Sequence, residues 1–495
     1  MNVYPAYLLG YTGNGSNAVV LDDGLDTKHH DLKANYDPTI SINLDNGNED
    51  DPRGPFRIMK PDEAHGTQCA GLIAAVGNNE ICSHGIAYHA KIGVVRMLSG
   101  KVNDIIEARS LSHNVEKVAM YCASWGPTDD GFTMDKPREN TEMAMKYASI
   151  HGRNNHGTLL LFASGNGGAV GDHCGADGFV SSPHVIAIAA LDHQGARTMY
   201  SESCSGTRVA VPVGSPQVTP ENPADLLPTT TENNKCVLSF MGTSAAAPLA
   251  AGCFALALEA RPEISKRDFE NLLPWSARIP TPSDEGWIVN AAGILYNSHA
   301  GYGLLDCTQL VQLAKQWHPV GPLCIARSSH GSDMGKKWAH HQDTYPKDKD
   351  FHSLDSQEEV LQFQKKQKAL RKGRPKAIVV RKKKMATIVI PIHKPTYPVG
   401  GTEQCTPDVV EKVIATFQWS HICRGTMSIT LKSPSQTRVL LLGPRSADYY
   451  SGEGSINITS VAFWGEDVYG DWTIEVSQMI VLLTIGKWSN VFHRS

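Results

Sequence analysis

Short, unbroken apolar runs separated by stretches of small residues dominate the N-terminal part of the chain. Ser16-Asn-Ala-Val-Val-Leu-Asp22 is one such run, and it closes on two acids and a glycine, Asp22-Asp23-Gly24. Gly157-Thr-Leu-Leu-Leu-Phe-Ala163 is another, and it leads into the glycine-rich Gly165-Asn166-Gly167-Gly168. Both predict buried strands that deliver polar residues at their C-terminal ends, where open α/β sheets present functional groups. His65-Gly-Thr-Gln-Cys-Ala-Gly-Leu-Ile-Ala-Ala-Val76 and Thr243-Ser-Ala-Ala-Ala-Pro-Leu-Ala-Ala-Gly252 predict closely packed helices. Thr308-Gln-Leu-Val-Gln-Leu-Ala-Lys-Gln-Trp317 predicts the amphipathic helix that ends this part.

The pattern then changes. Residues 325–395 are polar, Lys-rich and nearly free of core patterning, and Lys365–Lys384 holds eleven Lys and Arg with no acid. Such a block predicts a disordered, solvated insert or linker over 321–395 rather than a nucleic-acid or lipid site. Alternation returns over 396–480. Met427-Ser-Ile-Thr-Leu-Lys432, Val439-Leu-Leu-Leu-Gly443 and Gly470-Asp-Trp-Thr-Ile-Glu-Val476 predict strands.

Within these elements four polar residues form a chemical set. Ser244 sits between a Gly-Thr turn and a helix start, with Pro248 expected in the first helical turn, where its missing N–H costs nothing. A serine so placed has an exposed hydroxyl and a backbone N–H near the positive helix end, which suits a nucleophile that also stabilises an oxyanion. It needs a base and an orienting acid. His65 opens the other small-residue helix, Asp22 ends a strand, and the order Asp, His, Ser is one of the known triad orders. Asn166 can donate its side-chain amide to the oxyanion beside the Ser244 N–H. Each residue also has an ordinary alternative: Asp22 or Asp23 in a turn, His65 at a helix start, Ser244 as an N-cap, Asn166 in an Asn-Gly turn.

Composition narrows the class. At 495 residues two domains are expected. The formal net charge of −4 favours neither nucleic acid nor a charged membrane surface. No run reaches the roughly 18 apolar residues of a spanning helix, and the first residues lack a signal-peptide pattern. Eleven cysteines are many for a cytosolic enzyme, and sequence alone does not fix their pairing.

The segments around Asp22, His65 and Ser244, with Ala123-Ser-Trp-Gly-Pro127, Ala163-Ser-Gly-Asn-Gly-Gly168 and Gly301-Tyr-Gly-Leu-Leu-Asp306, resemble the subtilisin-like serine proteases. The match is closer to their proprotein convertase branch, that of kexin and furin, and covers about residues 2–320. The resemblance implies a subtilisin-like α/β catalytic domain with a mainly parallel sheet over 1–320 and an all-β sandwich, the P domain, over 396–495 with an atypical C-terminus: Met479–Ser495 departs from the family pattern, so a closing strand is expected to be missing, which would leave an open sheet edge. Family members are made with a signal peptide and a prodomain. This chain starts just before the strand of Asp22, and a truncated chain is therefore expected.

The resemblance also assigns roles. Ser244 would be the nucleophile, His65 the base, Asp22 the orienting acid and Asn166 the oxyanion donor. Asp129 and Asp177 would line the pocket for the residue before the cut, and Asp23 and Asp62 would hold the basic residue one position earlier. Glu107 and Asp135 would reach the basic residue four positions before the cut. Thr128 stands where furin-like members carry an acid, which removes one charge near the pocket. Calcium would be the cofactor. One site would use the side chains of Asp31 and Asn79 with the carbonyls of Val76, Ile81 and Ser83, and a second would use Asp129, Asp172 and Glu202. By the same resemblance, disulfides are expected at Cys82–Cys236, Cys174–Cys204 and Cys324–Cys405, with Cys69, Cys122, Cys253, Cys307 and Cys423 as thiols. Asn457-Ile-Thr459 is a glycosylation sequon.

The expected protein is a calcium-dependent serine endoprotease of the secretory pathway, or secreted, cutting precursor proteins after paired or multiple Lys and Arg. Its partners would be those precursors and its own prodomain, with a monomeric state and neither nucleic acid nor a transmembrane segment in this chain. A subtilase of looser specificity and a catalytically impaired fragment that only binds are the alternatives.

Overall fold

A computed structural model describes residues 1–45, 64–214, 227–321, 323–326, 328, 378–380, 386–393, 409–421, 423–477, 481–485 and 489–493. The N-terminal part is built on seven parallel strands: β1 (Asn17–Asp22), β2 (Ile42–Asn43), β3 (Lys91–Arg96), β4 (Met120–Ala123), β5 (Leu159–Ala163), β6 (Ile186–Leu191) and β7 (Thr207–Pro212). The order across the sheet is Ala277–Arg278, Leu304–Leu305, β7, β6, β5, β4, β1, β3, β2. Only the first pair is antiparallel. Every residue of β4, β5 and β6 is buried, because helices cover both faces.

Alternate residues of β1 show the two layers. Ala18 and Val20 face a core shared with α2 (His65–Ala74), α5 (Thr243–Ala260) and α7 (Cys307–Gln316). Val19 and Leu21 face a second core with Ala144, Met145 and Ala148 of α4 (Glu139–Asn155), beside α3 (Asp104–Ser110). Among the described residues α5 alone is long and apolar enough to cross a membrane, and it is the buried core helix of this domain.

Pro248 lies at the sixth position of α5, beyond the first turn. The expectation of a first-turn proline is corrected, and the reason is local. The N–H that proline lacks would have bonded the carbonyl four residues earlier, that of Ser244. Ser124 Oγ donates to that carbonyl instead, at 3.0 Å, and the Cys69 thiol approaches it at 3.6 Å.

The C-terminal part is an antiparallel sandwich. Val409–His421 pairs with Gly452–Ser460, Val481–Ile485 and Ser489–His493, and Cys324–Ala326 pairs with the last of these. The facing sheet runs Ala386–Ile392, Gly470–Ser477, Ser428–Lys432, Arg438–Leu442. Two expectations change. The span expected as disordered insert contains a full strand, Ala386–Ile392, in which Ile388, Ile390 and Ile392 are buried while Val389 is 47% exposed. This period-two pattern is short, and the basic run before it dominates the composition. The closing strands expected to be missing are present as Val481–Ile485 and Ser489–His493, paired along the central strand.

Cys82–Cys236 and Cys174–Cys204 are disulfides, as the resemblance implied. Cys253 and Cys307, expected as thiols, are joined in a third that ties α5 to α7. They are far apart in sequence and meet only because these helices pack together. Cys324 is disulfide-bonded; Cys405 lies outside the described residues.

Buried ion pairs bind the two parts. Arg267 of α6 (Lys266–Ser276) forks onto Glu411 at 2.6–3.1 Å. Lys412 donates to Glu270 at 3.0 Å and to the Pro183 carbonyl at 2.9 Å, and Lys266 and Arg208 face the same Glu270. Buried charges persist only when paired in this way.

Candidate active site

Asp22 is the last residue of β1 and is 1% exposed. Its carboxylate oxygens lie 2.9 and 3.0 Å from His65 Nδ1. His65 is the first residue of α2, a helix with no side-chain cap of its own from Ala64. Asp23 fills that role: it accepts from the N–H of His65 at 3.0 Å and of Gly66 at 2.8 Å. The acid pair after β1 thus divides its work, one carboxylate on the imidazole and one on the helix N-terminus. Gly66 is required by this close approach, since a Cβ there would meet the Gly24 carbonyl at 2.2 Å.

Burial opposes a charged His65 ring, yet the adjacent Cys69 sulfur and Asp22 carboxylate outweigh it and raise the imidazole above its ordinary value. Burial also raises the Cys69 thiol, which therefore stays neutral near pH 7, so Asp22 is the lasting cause. Cys69 Sγ lies 3.9 Å from His65 Nδ1 and 3.6 Å from the Ser244 carbonyl, and it packs between the two.

Ser244 is the second residue of α5, after Gly242 at φ 89°, a left-handed turn that favours glycine. Its hydroxyl faces the Ser124 carbonyl at 3.5 Å while Ser124 Oγ donates back to the Ser244 carbonyl, so the segment after β4 holds the backbone of Ser244. Asn166, in the turn after β5, accepts from Thr243 N–H at 2.8 Å and Thr243 Oγ1 at 3.0 Å through its side-chain oxygen. That leaves the amide nitrogen as the donor half of the side chain, beside the N-terminus of α5. Ser124 and Thr243 had no assigned role from sequence. Pro248 was the available signal for Ser124, because it marks a carbonyl in need of another donor.

The acids beside this set fall into three groups. Asp129, Asp172 and Glu202 converge on the turn of Asn166. Asp129 accepts from Asn166 N–H at 2.7 Å, Glu202 from Gly167 N–H at 2.9 Å, and Asp172 from Gly131 N–H at 2.8 Å. Glu202 is 3% exposed, and burial together with the Asp172 and Asp129 charges pushes it up to about 9. Asp177 is raised to about 7, first by burial and further by Asp129 and Asp172, although the N–H groups of Val180 and Phe179 bond it. Gly126 lies against it: a Cβ there would come within 2.9 Å of Asp177 Oδ2. The second group is Glu107 and Asp135. Burial raises Glu107, Thr141 Oγ1 donates to it at 2.9 Å, and Asp104 and Asp135 are close enough to raise it further. Asp135 bridges to Asp177 through the backbone, which links this group to the first. The third is fully buried Asp31, which accepts from Asn79 Nδ2 at 2.7 Å and Ser83 N–H at 3.4 Å, while its own carbonyl takes the Val76 N–H. Ile81 N–H bonds Asn79 Oδ1, so all five residues expected around this position gather there. Asp23 is raised to about 7 by burial and by Asp22. Asp62 lies outside the described residues.

Asn457 is half-buried in the middle of a strand, with Thr416 Oγ1 donating to its side chain at 2.8 Å, and Thr459 is buried. The sequon Asn457-Ile-Thr459 thus lies within the strand Gly452–Ser460.

The subtilase family profile matches residues 13–303, and the proprotein convertase P-domain profile matches residues 410–488. Furin-1 of Xenopus laevis is 36% identical over 483 residues, covering 97% of this chain and 54% of that protein. PC3-like endoprotease variant B of Hydra vulgaris is 36% identical, covering 96% of this chain and 60% of that protein. The chain thus spans little more than half the length of such relatives. The serine protease of Aeromonas sobria, solved in complex with its chaperone, shares the fold at a TM-score of 0.74 and 21% identity, covering 99% of this chain and 90% of that one. With an Asp-His pair, a serine on a helix start and an asparagine turn standing inside the matched region, the chain belongs to the subtilase family and carries a proprotein convertase P domain.

Proposed function

We propose that the protein is a calcium-dependent serine endopeptidase that cuts precursor proteins after Lys or Arg. The observation that carries this reading is the Asp22–His65 pair at 2.9 Å beside a serine whose carbonyl is held by Ser124 and Cys69. Ser244 Oγ attacks the scissile carbonyl carbon, and its proton passes to His65 Nε2. The oxyanion accepts from the Ser244 N–H and the Asn166 amide. As the C–N bond breaks, His65 returns the proton to the leaving amine and an acyl-enzyme remains. Water then repeats the sequence: His65 takes its proton, the hydroxide oxygen bonds to the carbonyl carbon, and Ser244 Oγ leaves with the proton from His65. Asp22 holds the imidazole in one tautomer and stabilises its cation.

Selectivity for basic residues is supported by a group of acids that form no ion pair among the described residues. Burial first, and then the Asp129 and Asp172 charges, make ionised Asp177 costly, and an arriving Lys or Arg would stabilise its carboxylate. Asp129 and, further along, Glu107 and Asp135 extend the same negative field, while Thr128 and Asp23, already engaged on α2, contribute less. Calcium fits Asp129, Asp172 and Glu202, an all-oxygen set with excess negative charge, and it fits the loop around Asp31 and Asn79. When bound, it supplies positive charge that keeps those carboxylates ionised and the Asn166 turn in place. Three disulfides among the described residues support an oxidising compartment, either the secretory pathway or outside the cell.

The test is a fluorogenic peptide series with Arg-Xaa-Lys-Arg before the cut, run on the purified chain in calcium. Ser244→Ala is expected to lower turnover by about 10⁶-fold, the scale known for a subtilisin nucleophile, with an unchanged melting temperature. Equal cleavage after Leu or Glu would replace the basic-specific reading with a looser one. No active-site labelling by a peptidyl chloromethyl ketone would point to the binding-only fragment.

A further inference from the structure

The C-terminal sandwich reaches into the catalytic site through two arginines that share one acid. Arg445 is 2% exposed, and both its Nη2 and Arg424 Nε donate to the same oxygen, Oδ2, of Asp448, itself 1% exposed. Two guanidinium charges face one carboxylate, so one positive charge is left over. It is spent across the domain boundary. Arg445 Nη1 donates to the Thr133 carbonyl at 2.6 Å and approaches Asp172 Oδ1 at 3.3 Å, and its Nη2 lies 3.4 Å from the Phe132 carbonyl. Arg424 Nη2 donates to the same Phe132 carbonyl at 2.6 Å, and the Phe132 ring packs on Tyr449 with centroids 5.0 Å apart. The 129–133 loop is therefore gripped from the sandwich side at two successive carbonyls.

From the other side that loop is held by the carboxylate trio. Gly131 N–H bonds Asp172, the acid that Arg445 faces, and Asp129 accepts from the N–H of Asn166. Neighbouring Glu202 holds the N–H of Gly167. A chain of charge-assisted hydrogen bonds thus runs from a buried sandwich arginine to the turn that bears the oxyanion donor. We infer that Arg445 is a positioning residue, which sets the 129–133 loop and, through Asp172 and Asp129, the Asn166 turn and the affinity of the trio for a divalent cation. The cation part rests on the calcium reading above, whereas the loop part stands on the hydrogen bonds alone.

Hydrogen exchange on the full chain, followed by mass spectrometry on peptides covering 128–134 and 163–169, separates the two parts. In Arg445→Met without calcium, both peptides are expected to exchange about tenfold faster, the effect of losing one charged hydrogen bond. Calcium half-saturation, read as protection of the 163–169 peptide, is expected to rise about tenfold. Arg267→Gln breaks a comparable ion pair between the domains, that with Glu411, and serves as the control. It is expected to lower the melting temperature without changing either peptide. If Arg445→Met fails to fold, Arg445→Lys decides. It keeps the charge, but one ammonium cannot serve two carbonyls and two carboxylates, so a smaller shift in the same direction is expected. Unchanged exchange in the Arg445 variants, or equal changes in Arg267→Gln, would overturn the assignment. If calcium gives the unsubstituted chain no protection of 163–169, the calcium reading fails, and calcium-free exchange still decides the role of Arg445.

Discussion

Asp22 and Glu202 are both buried carboxylates, one against His65 and one against the turn of Asn166, and the fold treats them in opposite ways. Asp22 is completed from within: His65 Nδ1 and the Asp23 N–H occupy its oxygens. Glu202 has a single backbone N–H from Gly167, two further acids beside it, and a value pushed up to about 9. The first arrangement orients a proton carrier. The second keeps its proton near neutral pH, and it ionises there only if something cationic arrives. Buried acids therefore report on function through what answers them, and an acid the protein does not answer itself points to a ligand.

The sharpest way to break the contrast is to remove the charge from the completed member. Asp22→Asn keeps the shape but offers the wrong hydrogen-bonding pattern to Nδ1, and kcat is expected to fall about 10⁴-fold. Since the Asp22 carboxylate raises His65, the acid limb of the residual kcat/KM profile should move to lower pH. An unmoved limb would remove Asp22 as the cause. Asn166→Ala takes away one oxyanion donor; a loss of about 10²–10³ in kcat is expected, the scale seen in subtilisin, with KM little changed. Steady-state kinetics on the two variants together would tell whether the turn of Asn166 acts on the transition state or only on binding.

The protons held by these raised acids make a smaller, thermodynamic prediction. Glu202 at about 9 and Asp177 at about 7 lie above their ordinary values of 4.5 and 3.8, so the calcium-free folded state holds protons that the unfolded chain releases. Their contribution to stability is complete below the ordinary carboxylate range and is lost as pH rises through about 7 and then about 9. The melting temperature without calcium is therefore expected to decline across that window, and Glu202→Gln should flatten its upper part. Calcium should have its largest stabilising effect at the alkaline end. A melting temperature independent of pH in the chelated protein would show that these acids are answered by something inside the fold.

Much of this site was legible in the sequence because its parts lie in short local patterns. The Asp22 strand, the His65 helix start, the Asn166 turn and the Ser244 helix start each stand within a few residues of a structural boundary. Local hydrophobic periodicity also marked α7 and the strand Ser428–Lys432, whose residues alternate between buried and half-buried. Where composition was averaged over a longer window it misled. The basic block before Ala386 concealed a strand whose three isoleucines face the core. The pattern change after Met479 concealed the two closing strands. Pro248 was a correct clue given the wrong place: it frees a carbonyl in the body of the helix, where a donor from another strand's end has to answer it.

By itself the sequence determined which chemistry is available: an Asp, a His and a Ser at element ends and an Asn in a glycine turn. These follow from local propensity and residue type, which act over a few residues. The tertiary structure alone decided the partners. It set Asp23 on the N-terminus of α2, joined Cys253 to Cys307, turned the carbonyl end of Asn166 toward Thr243 and brought Arg445 to Asp172 across the domain boundary. Hydrogen bonds and ion pairs act over a few ångströms, and packing chooses which distant residues come that close.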